Sequence, residues 1–348
     1  AADLIAIDKV TSVVVDAKAI KTITALAADV ADVVTVLAAK TIAKAADVAV
    51  TIDAADDITA LEANSIAKLT TGVVTATVAD ASASYLNSTL KDAKATDALT
   101  LKVIGTTATA ADLNALDGKT KEVITVEATK IEGTLADLNK VFVDVVTSTH
   151  FDTTSTNIKN VNITDKTVTA DAVSKIGVAA GSAVVKATVT ADSAANLVEA
   201  LKDATENALT LTVNGATATA TNLAALNGKT SVDVTVNATE VTGTFNDLKV
   251  VYDTNKADFL ALGNENIVID EASTAAADID TIANATTGKV TATLAAATAI
   301  SDATVTALTH VNGTTDVISF TAAANTTADA TALVALAAKV ITADATAF

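Results

Sequence analysis

The chain has 348 residues, half of them hydrophobic but only 2% aromatic, and a formal net charge of −18. It contains no Cys, Met, Pro, Trp, Arg or Gln, which excludes disulfides, thiolate metal sites and cysteine catalysis. The charge opposes nucleic acid and anionic membranes as partners, and favours divalent cations as bridges between acidic surfaces.

Residues 1–47 are the least regular part. Residues 13–15 read as a strand and 25–39 as a helix, so this stretch is a degenerate first coil or a cap. From residue 48 onward, short alternating runs recur at 48–52, 74–78, 99–103, 123–126, 161–163, 185–189, 209–213, 232–236, 267–269, 290–294 and 317–320. One face of each carries Val, Leu or Ile and the other Thr, Lys or Glu, the pattern of a half-buried strand. Helical pieces follow at 109–116, 134–141, 169–176, 219–226 and 244–251. Thr109, Thr134, Thr219 and Thr244 open four of them, with Asp112, Asp137, Asn222 and Asp247 three residues on. Threonine is a good N-cap, and an acid in the first turn suits the helix dipole. Gly118 and Gly228 fall just past two helices, where a left-handed residue is wanted. The apolar run 332–340 has no polar cap after it, and the chain given stops at Phe348, so more protein or another subunit is expected beyond.

The chain repeats itself. Ala98-Leu99-Thr100-Leu101-Lys102-Val103 returns as Ala208-Leu209-Thr210-Leu211-Thr212-Val213, an offset of 110. Leu113-Asn114-Ala115-Leu116-Asp117-Gly118-Lys119-Thr120 returns as Leu223-Ala224-Ala225-Leu226-Asn227-Gly228-Lys229-Thr230, and Gly133-Thr134 as Gly243-Thr244. Residues 66–74 return at 282–290. Strand starts lie about 23–26 residues apart, in the range of leucine-rich-type coils. The fold class expected is therefore a repeat solenoid of strand–short-helix coils with a leucine-rich-repeat-like layout. Four coils make each superrepeat of about 110 residues. It would run continuously over 48–348, with loop insertions near 144–160 and 253–266 projecting from the same edge.

Reactive groups are sparse. The two histidines, His150 and His310, have no Gly-x-Ser-x-Gly elbow to serve and read as surface residues. Glycine-rich phosphate loops are absent, and no acid pair stands out as a dyad. An enzyme is not expected, and neither is a resident cofactor. The weak calcium candidates are the acidic pairs Asp56 with Asp57 and Asp270 with Glu271. Stacked coils would align Thr75, Thr77, Thr100, Thr125, Thr188, Thr210, Thr212, Thr235, Thr291 and Thr293 into rows. Lys102, Glu127, Lys186 and Asp233 break those rows. No apolar stretch reaches the roughly 18 residues of a membrane span. The start Ala1-Ala2-Asp3 lacks Met and any signal-peptide pattern, so the chain reads as a mature product or an excerpt. The shortage of side-chain nitrogen suggests an abundant exported protein.

Three phrases carry a resemblance: 111–117, 241–248 and Leu262-Gly263-Asn264-Glu265-Asn266-Ile267-Val268-Ile269-Asp270. They resemble the Thr/Ala/Val-rich tandem repeats of very large secreted surface proteins of marine cyanobacteria and other aquatic bacteria. The resemblance spans 48–348 and implies an extracellular or cell-surface structural role, with no catalytic residues. The calcium-binding nonapeptides that some such proteins carry are missing. The expected function is a protomer or segment of a surface filament or surface layer that self-associates end to end into a homopolymer. The alternative is the stalk of a large secreted adhesin that binds glycans or surfaces through its loops or another domain.

Overall fold

The computed structural model describes residues 1–205, 207–295, 299–300, 302–321, 327–328, 330–339 and 342–344. The chain divides into two compact units, Ala1–Lys166 with Lys175–Lys186, and Thr167–Ser174 with Ala187–Phe348. Among the described residues, thirteen α-helices are interspersed with short strands.

In the first unit, Thr22–Ala25, Ala49–Ile52, Val74–Thr77 and Ala98–Thr100 form one parallel sheet in chain order. Lys102–Val103, Ile124–Val126 and Phe151–Asp152 form a second. Thr107–Thr109, Lys130–Gly133 and Asn160–Ile163 belong to a third. Val15–Asp16 pairs separately with Ile42–Ala43. The second unit repeats this plan. Thr212–Val213, Val234–Val236 and Phe259–Leu260 pair in that order. Thr217–Thr219, Glu240–Gly243, Asn266–Ile269, Val290–Leu294, Val317–Thr321 and Thr342–Asp344 make its longest sheet.

The expected repeat solenoid, with one strand and one short helix in each leucine-rich-repeat-like coil, is therefore corrected. The fold is α/β, with separate narrow parallel sheets in two units. Two local features explain the difference. The run 99–103 is broken at Leu101 and the run 209–213 at Leu211, so each half joins a different sheet. The strands Thr107–Thr109, Lys130–Gly133, Thr217–Thr219 and Glu240–Gly243 add to the expected ones; each holds at most one Val or Ile, too few for an alternating aliphatic run.

Along the runs 49–52, 99–103 and 124–126, alternate residues point inward. Val50 and Ile52, Leu99 and Leu101, Ile124 and Val126 are at most 1% exposed. The core is aliphatic, closed by helix residues such as Leu86, Leu113, Leu116 and Leu138. Parallel sheets are commonly covered on both faces. Here the outward Thr51, Thr75 and Thr77 remain half-buried, as the alternating pattern requires.

The caps form as the residue types dictate. Thr109, Thr134, Thr219 and Thr244 each accept a hydrogen bond from the main-chain N–H three residues on. The hydroxyls of Thr109, Thr134 and Thr244 also donate to the Asp112, Asp137 and Asp247 carboxylates at 2.8, 2.8 and 2.9 Å. Thr59 and Glu62 complete a full capping box. Gly118 and Gly228 are not left-handed: their φ values are −72° and −70°. Each helix instead tightens into a turn in which Lys119 and Lys229 donate to Leu116 and Leu226. The helix expected at 25–39 is Ala27–Asp29 as a 3-10 turn followed by Val30–Ala38. The apolar run near the end of the chain holds the helix Ala330–Ala337, while Val340 and Phe348 lie outside the described residues.

Candidate functional site

The acidic pairs lie in exposed turns or at a helix start. Asp56 and Asp57 are exposed in a turn. Glu271 accepts the Phe245 N–H at 3.1 Å and the Thr274 hydroxyl at 3.4 Å, so it caps a neighbouring helix, and Asp270 is exposed beside it. Asp165 plays the same part in the first unit, accepting the Leu135 N–H at 2.6 Å. Among the described residues, no group of three or more His, Cys, Asp or Glu side chains is placed to hold a metal ion. No described helix is long and apolar enough to cross a membrane.

Both histidines clip a helix to a later segment. His150 Nδ1 lies 2.6 Å from Asp117 Oδ1, and His310 Nδ1 lies 2.8 Å from Asp280 Oδ2. Asn227 and Asp258 make the counterpart of the first clip at 3.0 Å. Burial alone would raise the Asp280 pKa. Hydrogen bonds from the His310 side chain and main chain, and from Thr309, outweigh it and hold the carboxyl below its ordinary value. Thr309 also meets His310 on the same Nδ1 atom, at 3.1 Å.

Surface threonines align only in short rows. Thr24, Thr51 and Thr75 are in register, as are Thr77 with Thr100 and Thr212 with Thr235. Thr125 faces Lys102 instead, and Thr291 faces Val268 and Val317. Lys102 bridges Asp80 at 3.0 Å and Glu127 at 3.4 Å.

The more consequential threonines point inward. Thr70, Thr120 and Thr230 are 4%, 3% and 8% exposed. Their hydroxyls donate to the carbonyls of Val48, Leu99 and Leu209 at 2.5, 2.7 and 2.7 Å. Each also accepts the N–H two residues on, from Gly72, Glu122 and Val232. Thr286 repeats both bonds with Glu265 and Gly288. Two acids, Asp97 and Asp316, are buried as well, 0% and 3% exposed. Asp97 accepts the N–H groups of Val74 and Lys94, both at 2.9 Å, and Asp316 those of Val290 and Asn312, both at 2.8 Å. A signal existed in the sequence: Thr70, Thr120, Thr230 and Thr286 each stand four residues before the first buried strand residue, Val74, Ile124, Val234 and Val290.

Glu265 departs from that pattern. It is 2% exposed, and its Oε2 accepts both the Tyr252 hydroxyl at 3.0 Å and the Gly263 N–H at 2.9 Å. Its Oε1 has no hydrogen-bond partner. Burial first, and the neighbouring Glu265 charge second, push the Tyr252 pKa far up. The segment 253–266 is thus more than a solvated loop. It holds the 3-10 turn Lys256–Asp258, the strand Phe259–Leu260, and left-handed Ala261 and Gly263 with φ of 65° and 109°. The insertion at 144–160 likewise folds through Ser148–His150 and Phe151–Asp152.

One further surface feature stands out in the first unit. Val15–Asp16 and Thr22–Ala25 are each the last strand of their sheet. Around them Ile7, Val10, Val13, Val14 and Leu26 are 50%, 86%, 73%, 59% and 54% exposed. The helix Ala2–Val10 buries none of its residues.

Compared with known proteins, the chain matches no family model, no curated protein and no solved structure.

Proposed function

We propose that this chain is an extracellular structural protein whose copies associate end to end into a surface filament or layer. The observation that carries the reading is the sheet edge at residues 7–26, where the Ala1 amino group donates to the Thr24 carbonyl at 3.5 Å and the aliphatic side chains around it are exposed. Two edge strands, Val15–Asp16 and Thr22–Ala25, lie within a run of five exposed aliphatic side chains. An unpaired strand edge is a template for another strand, and natural proteins usually blunt it with charge or cover it. The strand it would take is parallel, the only direction that the described pairings use. Thr342–Asp344, last in its sheet, is a strand of that kind. A head-to-tail contact that does not close on itself gives a filament. The acidic, nitrogen-poor composition and the resemblance of 262–270 to repeats of secreted surface proteins support an exported location.

Negative-stain microscopy and sedimentation of the purified chain test this reading. Concentration-dependent filaments or sheets are expected. The double variant Val13→Lys, Val14→Lys should remain folded and sediment as a monomer. A wild-type chain that stays monomeric at every concentration and ionic strength overturns the proposal.

A further inference from the structure

The sequence holds three Asn-Gly pairs: Asn214-Gly215, Asn227-Gly228 and Asn312-Gly313. Asparagine is a thermolabile residue, and a glycine after it leaves the peptide nitrogen unshielded by any side chain. That nitrogen closes a succinimide ring on the asparagine Cγ when its N–H is free, the side chain can swing onto it and the glycine peptide has room to turn. The fold denies this to two of the pairs. Gly228 spends its N–H on the Ala224 carbonyl at 3.3 Å as the helix Ala220–Asn227 ends, and the Asn227 amide donates to the Asp258 carboxylate at 3.0 Å. Asn312 Oδ1 is held in a tight turn by the Thr314 N–H at 3.0 Å and the Thr314 hydroxyl at 2.7 Å. Gly313 is also enclosed, since a Cβ there would overlap the Ala338 carbonyl oxygen.

Asn214-Gly215 meets all three conditions. Residues 214–217 are exposed, in the turn between the strands Thr212–Val213 and Thr217–Thr219. Among the described residues no acceptor takes the Gly215 N–H. Gly215 has a φ of 132°, and the nearest atom to a Cβ built there would be the Thr217 carbonyl oxygen at 4.0 Å. The Asn214 side chain is held by one bond, from the exposed Asn237 amide to its Oδ1 at 3.1 Å. With both partners neutral and exposed, this is the weakest of the three tethers. The first unit keeps the turn and lacks the asparagine: half-buried Ile104 precedes Gly105, whose φ is 117°. Glycine thus has a backbone reason in both units, and asparagine is particular to the second. We propose that Asn214-Gly215 is a self-modifying site whose one co-reactant is water. The Gly215 nitrogen, its proton lost to solvent base, bonds to the Asn214 Cγ. The Cγ–Nδ2 bond breaks, and ammonia leaves with a proton taken from water. Water then adds to either carbonyl of the succinimide and opens it to aspartate or isoaspartate. Either product adds a negative charge to the turn, and isoaspartate also lengthens the main chain between strands of two different sheets.

Peptide mapping by mass spectrometry tests this on the full chain. The purified protein is held for weeks in mildly alkaline heavy-oxygen water, folded in one sample and in denaturant in another. In the folded sample, fragment spectra should show the amide lost and heavy oxygen gained at position 214, with aspartate and isoaspartate forms separating by chromatography. Conversion at 227 and 312 should be slower by many-fold. In denaturant the three positions should convert at similar rates, because the fold no longer distinguishes them. Ile104→Asn, which places an Asn-Gly pair in the equivalent turn of the first unit, should create a second site that converts in the folded protein. A folded chain that stays unconverted at 214 while the denatured chain converts overturns the proposal. So does conversion at 227 or 312 as fast as at 214 in the folded protein, or a folded Ile104→Asn chain inert at 104. If Ile104→Asn does not fold, the comparison of the three natural pairs decides the matter. The chemistry is read within single chains, so its outcome is independent of whether the chain assembles.

Discussion

At the residue scale, the side chains that decide packing are polar. Thr120 is 3% exposed and bonds to Leu99 through both its hydroxyl and the Leu99 N–H, at 2.7 and 3.1 Å. Replacing it with Val keeps the shape and orphans those backbone groups. Thr120→Val should cost about 1–3 kcal/mol by denaturant unfolding. Thr125→Val, on the outward face of a strand, should stay within about 0.5 kcal/mol. Equal effects would refute the inward ladder. Gly72 has a different reason to be glycine. A Cβ there would meet the Asp47 and Val48 carbonyl oxygens at 2.4 and 2.6 Å, and Gly288 faces Glu265 in the same way. Gly72→Ala should destabilise the chain by about 1–3 kcal/mol, while Gly118→Ala, whose Cβ would find only ordinary contact, should not. The sequence pointed to Gly118 and missed Gly72. Position after a helix is visible in the sequence, but the approach of another segment's backbone is not.

At the element scale, the caps were legible and the strand partners were not. A threonine with an acid three residues later is a local statement, and local statements survive folding. Thr134→Ala should lower stability by about 1 kcal/mol, and Thr134→Ser should restore most of it, in thermal melts of both variants. The second strands, such as Lys130–Gly133, were missed because their residues gain strand structure only from neighbours on both sides. Lysines close the helices across the repeat: Lys119 Nζ reaches the Leu90 carbonyl at 2.8 Å, and Lys229 Nζ reaches Lys202 and Ala204 at 2.8 and 2.9 Å. Such long-range caps favour the negative end of a helix dipole and leave no sequence signature beyond the lysine itself. The clip of His310 on Asp280 carries a pH dependence. A carboxyl held below its ordinary pKa in the folded state contributes stability above its unfolded pKa. That contribution disappears as pH falls through the folded value. Asp280→Asn should therefore lose stability at neutral pH and converge with the wild type in acid. Parallel curves across the whole range would show that the clip is not what titrates.

At the scale of the whole molecule, charge sets the terms of association. A net charge of −18 makes copies repel one another at low salt. Screening at about 0.15 M shortens the reach of that repulsion to roughly 8 Å. Light scattering of the purified chain should accordingly rise with sodium chloride, while the Val13→Lys, Val14→Lys variant stays flat. A wild-type signal that falls with salt would mean that attraction between opposite charges drives assembly, and that the aliphatic edge does not.

The 110-residue repeat, the aliphatic core and the threonine caps all follow from the sequence alone, because each depends on residue type and spacing along the chain. Tertiary structure decided which strands share a sheet. It turned Thr70, Thr120 and Thr230 inward, and it left one oxygen of Glu265 without a partner. Those outcomes depend on which backbone groups meet across 20 to 30 residues of chain, and hydrogen-bond supply at such a meeting is a property of the folded neighbourhood.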